Sequence, residues 1–548
     1  MQVTNWNYRN ILSSLLLLPL SLWANDTVFV SGGVQHDGLL DWTPVMYHSN
    51  SYADIDLHWQ TERGTFRELR AKTRLEMNQW PMPGYEADFA GHGIGHLSVA
   101  AAFTWGEITV GDVYGQFGSG LILNLYEDRA LGIDGALRGA KIAVEPYKGI
   151  RLTALGGKQR RYWDCYKDQA WGWNYTQHAA MGADLEIAIE QWSERMREKD
   201  ISLSFGGSYV SKYEAEDTII GFYVDHWHAP GMYRYRAPRW VGAGDVRTQL
   251  RVKGFSVLAE YAVKANDPSA ENEYDYRLGH AALLSAGYSQ KGLSVLVQAK
   301  YSDNMSFRSE RQRVGLAGRL NHLPAFAYQH TYALAALYPY ATQYNTPELA
   351  FQGEIRYTAP RKSAFGGKYG TTLQLCASHV RRPFLNEQAE NYTDVHMELN
   401  KRISKQWWLN AMLVYQAYNQ QVVEGHGGMI RSGIAILDAR YQVNNDIGMR
   451  AELQYLYSPH HEGQWCFALY ELTLFHHWTL SGQWMYNIGF APDATNAHYY
   501  TAGLTFNYGA HRANIGYTKT REGFNCSGGI CRYIPQMKGV CVNYSFTF

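Results

Sequence analysis

Between Val110 and Gly139 the chain carries Asp112, Glu127, Asp128, Arg129, Asp134 and Arg138 among closely spaced glycines. Carboxylates and guanidiniums at this density pair with one another, so the segment can fold into a bore and constrict it. It can equally be an external loop whose charges only keep it solvated, and both readings stand on the sequence alone. Gly118-Ser119-Gly120 is no phosphate cradle, because the Gly-Lys-Ser/Thr ending and the following helix are missing. A second charged set, Arg70, Arg74, Arg247, Arg251 and Arg450 against Glu68, Glu186, Glu260 and Glu452, falls at alternate positions of extended stretches. Pointing into one lumen, these side chains make a hydrated, electrostatically structured interior, or they tie neighbouring strands together as ladders of ion pairs.

Other chemistry is weaker. Cys526 and Cys531 bracket a Gly-rich turn, Ser527-Gly528-Gly529-Ile530, which in an exported protein favours a disulfide. A zinc-gripping thiol pair would need a second pair nearby, and the spacing is not that of a redox Cys-x-x-Cys motif. His226-Trp227-His228, beside Asp225, offers two ligands on a long loop, short of a metal site. No metal and no cofactor are expected. Ser378 and His379 are adjacent, so on a strand they point to opposite faces and cannot form a dyad. With no Gly-x-Ser-x-Gly elbow either, no catalytic residue is assigned and the chain reads as non-enzymatic. Trp163, Trp171, Trp173 and Tyr175 form an aromatic cluster that suits a sugar face or, more commonly, a membrane interface.

Strands must carry these residues. Leu69, Ala71, Thr73, Leu75 and Met77 alternate with Glu68, Arg70, Lys72, Arg74 and Glu76. Met449, Ala451, Leu453, Tyr455 and Tyr457 alternate with Arg450, Glu452 and Gln454, and the same rhythm runs through 181–190 and 255–264. A period of two sends one set to each face of a strand. Here one face is apolar and aromatic and the other is ionic, the pattern of a wall between lipid and water.

Twelve turns follow at Arg63-Gly64, Gly106, Lys148-Gly149, Lys199-Asp200, Lys253-Gly254, 290–292, Asn321–Pro324, Pro360–Gly370, 404–406, 444–446, His476-His477 and Gly509-Ala510, with longer loops between them. With a strand at each end, Thr27–Gln35 and Val540–Phe548, they predict about 26 strands, in a range of 22–26. The prediction is a single transmembrane antiparallel β-barrel, with short turns toward the periplasm and long loops outside. Composition agrees. Among 548 residues, 41 Tyr outnumber 20 Phe, and 50 Lys+Arg balance 50 Asp+Glu, so a basic nucleic-acid-binding surface is not expected. Residues 1–24, with Arg9 before Ile11–Trp23, read as a signal peptide and 25–548 as the barrel; a buried N-terminal helix is the alternative.

At the C-terminus Val542, Tyr544, Phe546 and Phe548 share one face. This resembles the closing strand of outer-membrane proteins, whose aromatic end the barrel-assembly machinery recognises. Gly111–Leu121, Lys264–Ser269, Asp303–Arg308, Leu337–Gln343 and Cys526–Pro535 resemble outer-membrane barrel proteins of unknown function from Bacteroidota, over residues 26–548. The resemblance implies a location and a fold, with no reaction or substrate. The expected function is a channel or transporter for polar solutes in the outer membrane, in contact with its lipid and lipopolysaccharide. The alternatives are a non-conducting subunit or scaffold of an envelope secretion or assembly complex and, less favoured, a barrel-embedded lipid hydrolase. No N-terminal plug domain or energy-coupling box is evident, which disfavours active uptake of the plugged-receptor kind.

Overall fold

The alternating stretches become strands of one closed sheet. In the computed structural model 24 antiparallel strands pair each with the next, and the last, Lys538–Thr547, pairs with the first, Thr27–Trp42. The structure describes residues 26–42, 45–62, 64–78, 80–163, 178–215, 218–223, 231–383, 390–491, 495–527 and 530–548. The signal peptide reading, Trp171, Trp173, Tyr175 and the Asp225–His228 cluster lie outside them. Among the described residues no helix is long and apolar enough to cross a membrane.

Alternation places the side chains as expected. Met449, Leu453, Tyr455 and Tyr457 are exposed on the outer face of the strand Ile447–Tyr457, whereas Glu452 and Gln454 are buried inside. Val246 on Trp240–Val252 and Leu284 on Gly279–Gln290 continue the same apolar belt. Ring pairs mark both of its rims. Trp407 stacks on Tyr441 and Phe255 packs on Tyr288 at the short-turn end; Tyr213 packs on Trp240 at the long-loop end. Such girdles sit where the hydrocarbon meets the headgroups.

The count of 24 lies within the predicted range and two below the figure of 26. Eleven of the predicted turns join neighbouring strands at one end of the barrel. The seventh, Asn321–Pro324, does not. It lies within the long connection between Leu293–Asp303 and Glu348–Ala359, which holds no strand of the wall. One misread turn accounts for two missing strands. The turn at Lys199-Asp200 is also longer than predicted, because Ile189–Trp192 and Glu194–Glu198 coil into short helical turns there, with Ser193 accepting from the Met196 N–H.

Two connections at the long-loop end fold back into the barrel: residues 114–136, between Gly106–Val113 and Leu137–Tyr147, and residues 304–347. Phe117, Leu121, Ile122 and Leu123 from the first, and Met305, Phe307, Leu320, Leu323 and Leu334 from the second, are buried almost completely. They pack with inward residues of the wall, among them Met412, Val414, Ile434, Ile436, Leu456 and Trp465, into one apolar core. The interior thus differs from the hydrated bore read from the ionic faces. It holds an apolar core as well as charged clusters, often on the same strand, as with Ile434, Ile436 and Asp438 on Met429–Gln442.

Candidate functional site

The lumen is where the predicted charges meet. Arg74, buried on the strand Phe66–Asn78, is the hub. Its Nε donates to Glu76 Oε1 at 2.7 Å, Nη1 to Glu127 Oε1 at 2.5 Å and Nη2 to Asp134 Oδ2 at 3.0 Å. Arg160, just past the strand Ile150–Gln159, donates to Asp134 Oδ2 at 2.6 Å and to Glu76 Oε2 at 2.7 Å. Arg129 bonds Glu127 at 2.8 Å and reaches the wall at Asp54 at 2.7 Å, its guanidinium lying 4.5 Å above the Tyr52 ring. Segment 114–136 is thereby clamped to the wall by guanidinium–carboxylate bonds that are partly or wholly shielded from water. Burial alone would raise the Asp134 carboxyl, but Arg160 and Arg74 outweigh it and hold the group below the usual carboxylate range.

The rest of the predicted set divides between clamp and wall. Asp112 and Arg138 form a two-pronged pair at 2.7 and 2.6 Å between adjacent strands, with Asp112 also accepting from the Leu97 N–H at 2.7 Å. Asp128 caps its own turn, accepting from the Leu131 N–H at 3.0 Å. Glu260 accepts from the Ser119 N–H at 2.9 Å, a second tether of segment 114–136. Gly118 beside it has a φ of +51°, in the left-handed region, where a side chain would also strike Glu260. Arg247 pairs with Asp184 at 2.6 Å and Asp245 at 3.1 Å; Arg450 pairs with Asp438, Glu452 and Glu471 within 3.2 Å. Arg70 meets Glu68 at 3.2 Å, and Glu186 stands across from Arg151 in the register. Arg251, on the inward face near the short-turn end, is exposed.

Segment 304–347 was missed in the sequence. Its signal there is negative, since period-two alternation stops after Asp303 and resumes only at Glu348. Polar hooks fix its apolar residues. Asn321 donates to the Leu121 and Met305 carbonyls at 3.0 and 2.8 Å, joining the two inward segments. Gln416 donates to the Ala335 carbonyl and Gln454 accepts from the Leu334 N–H, both at 2.8 Å. Further out, Glu271 of the loop 265–278 holds Arg308 and Arg319. Burial would raise the Glu271 carboxyl, yet Arg319 and Arg308 outweigh it and hold it at about 2.

Chambers lie on both sides of the inward segments. Toward the short turns is a cavity of about 650 Å³, lined by Trp408, Asn410, Asp438, Arg440, Arg450 and Glu471, and another of about 330 Å³ with Asp184, Glu186 and Arg247 beneath Gly115–Ser119. Toward the long loops is one of about 430 Å³ lined by His322, residues 324–331, Tyr340, Tyr392 and the Phe524–Cys526 edge. Cys526 and Cys531 are joined as a disulfide across the hairpin Gly523–Ser527/Ile530–Ile534, and Gln329 donates to the Cys526 carbonyl at 2.7 Å. Tyr544 and Phe548 are exposed on the outer face at the seam, beside Phe546. Ser378 is buried inward while His379 bonds Thr393 at 2.8 Å, so the two remain on opposite faces.

Among solved structures, the siderophore receptor PirA from Pseudomonas aeruginosa aligns over 96% of this chain and 81% of its own, at 8% identity and a TM-score of 0.41. The copper transporter OprC aligns over 96% and 82%, at 11% identity and a TM-score of 0.40. A mutant of the Rh. blastica porin aligns over 57% of this chain and 92% of its own, at 14% identity and a TM-score of 0.26. No curated protein matches the chain. The model of a family of unknown function, DUF6029, matches residues 41–548, nearly the whole barrel, and the chain belongs to that family.

Proposed function

We propose that the protein is a non-enzymatic transporter for polar solutes in the bacterial outer membrane, shut at rest by its own two inward segments and opened by movement of residues 114–136. The observation that carries this reading is a pair of chambers on opposite sides of one closure: one of about 650 Å³ lined by Asn410, Asp438, Arg440, Arg450 and Glu471, and one of about 430 Å³ with a mixed aromatic and polar lining. A barrel meant only as a wall has no use for them. Both segments share the apolar core, and 114–136 is fastened in addition to the strand Phe66–Asn78 by the Arg74 pairs with Glu127 and Asp134, the contacts whose release would let it move. In this reading the short turns face the periplasm, residues 1–24 direct export, and Tyr544, Phe546 and Phe548 guide insertion by the assembly machinery into lipid and lipopolysaccharide.

Planar-bilayer recording of the purified protein tests it. The intact chain is expected to be closed with rare openings, and a variant with residues 116–134 replaced by a short Gly/Ser linker to conduct steadily. A folded deletion variant that never conducts overturns the reading. It would favour the second one, a non-conducting scaffold of an envelope complex, for which the apolar interior core speaks. Fixed partners recovered from gently solubilised membranes would then be expected.

A further inference from the structure

We propose that His330, Asp394 and His396 form a binding site for one divalent transition-metal ion, which fastens segment 304–347 to the barrel wall. Asp394 and His396 are two residues apart on the strand Glu390–Arg402, so both point inward, and His330 meets them from the segment. One donor atom from each lies within 4.8 Å of the others, and all three residues are buried. His330 Nε2 is 2.7 Å from Asp394 Oδ2, and His396 Nδ1 is 3.0 Å from Asp394 Oδ1. Sixty-six positions of sequence separate the two imidazoles, which is why no metal was expected from spacing.

A hydrogen-bonded trio without metal is the plainer reading, and Gln416 and Tyr392 also donate to Asp394 Oδ2, at 3.0 and 3.4 Å. It leaves two atoms unexplained. Once each imidazole gives an N–H to Asp394, His330 Nδ1 and His396 Nε2 remain, buried and without a hydrogen-bond partner. Buried polar atoms are rarely left so, because each forfeits its bond to water. An imidazole held by a carboxylate at one nitrogen and bare at the other is the usual preparation of a metal ligand. Alternatively the ion takes the carboxylate oxygen and the two facing nitrogens directly, drawing donors at about 2.0–2.1 Å from the metal into a tetrahedral set. Two imidazoles, with the carboxylate either joining them on the ion or orienting them from behind, suit Zn²⁺, Ni²⁺ or Cu²⁺, whereas Ca²⁺ and Mg²⁺ prefer oxygen alone.

The surroundings fit. The Tyr328 ring packs on both imidazoles, with centroids 4.9 and 4.1 Å away, and shields them. His330 and Tyr328 also line the long-loop cavity of about 430 Å³, which provides an entry path and room for water or a small ligand on the remaining coordination position. The site is independent of whether the barrel conducts.

The test is calorimetric titration of Zn²⁺ into the chelator-stripped, full-length protein in detergent. One equivalent is expected to bind, with affinity falling at least about 100-fold in His330→Ala and in His396→Ala and unchanged in His379→Ala. Co²⁺ added to the wild-type protein, a readout that needs no variant, should give the intense visible bands of a four- or five-coordinate site. Three results would overturn the proposal: no saturable Zn²⁺ binding by the wild type, binding undiminished in the folded His330→Ala/His396→Ala double variant, or a cobalt spectrum no different from the six-coordinate aquo ion.

Discussion

Asp134→Asn should open the barrel. Asp134 is buried and accepts from Arg74 Nη2 at 3.0 Å, Arg160 Nη1 at 2.6 Å, the Tyr114 hydroxyl at 2.9 Å and the Ala136 N–H at 3.1 Å. The amide keeps the shape, but its NH₂ group lies where two guanidiniums point and the charge is gone. Glu76 and Glu127 still neutralise part of the loss. Two charge-assisted hydrogen bonds at about 1.5–3 kcal/mol each, or a broken buried ion pair at about 3–5 kcal/mol, bracket the cost to the closed state. When segment 114–136 leaves the lumen, residue 134 is solvated in either form, so the open state gains no such penalty. At about 1.4 kcal/mol per tenfold, the open-to-closed ratio should rise on the order of a hundredfold to ten-thousandfold. Single-channel open probability reads this directly, and the heat-shifted mobility of the folded barrel on gels confirms assembly. The reasoning is refuted if the variant assembles, loses thermal stability and stays as closed as the wild type: the charges would then hold the wall together and not the gate.

Gly118→Val forces a side chain into the left-handed region and against Glu260, so it should raise open probability about tenfold or more; unchanged gating would place Gly118 outside the closure. Glu271→Gln bears on pH. The folded carboxyl is held at about 2, below its unfolded range, so its stabilisation is complete above pH ~4.5 and is lost as pH falls toward ~2. Melting temperature of the wild type should therefore drop across that window, and the variant should start lower and show a shallower slope; parallel curves would refute the assignment. Val246→Arg, in the middle of the outer belt, should cost about 2–4 kcal/mol of insertion and lower the amount of folded barrel in the membrane, and normal yield would argue that this face does not meet lipid.

Much of the wall was legible because its rule is local. Each residue from Glu68 to Met77 declares its face by type, and a turn such as Lys253-Gly254 or Asn444–Asp446 needs only its own few residues. The charged density at Asp112–Arg138 was legible too, though not whether it lay inside, since Arg74 and Arg160, which clamp it, stand 60 residues before and 26 after Asp134. Segment 304–347 was opaque for a related reason. Its Leu, Ala and Tyr follow no period, as befits residues packed from several sides, and Asn321–Pro324 has the composition of a turn while its Asn321 side chain serves as a hook. The trio at His330 depends on a contact that no spacing encodes.

The dry core has a bearing on how the strands around it find their facing. On Met429–Gln442, Ile434 and Ile436 point inward and Leu437 outward; on Trp407–Asn419, Met412 and Val414 point inward and Leu413 and Tyr415 outward. Greasy on both sides, such a strand has lost the cue that tells lipid from interior, and a slip by one residue would exchange its faces at little hydrophobic cost. What forbids the slip is the sparse set of polar residues among them, Gln416, Ser432 and Asp438, each of which would be stranded in hydrocarbon. In this part of the cylinder a few hydrophilic side chains set the alignment, and the oily ones merely follow.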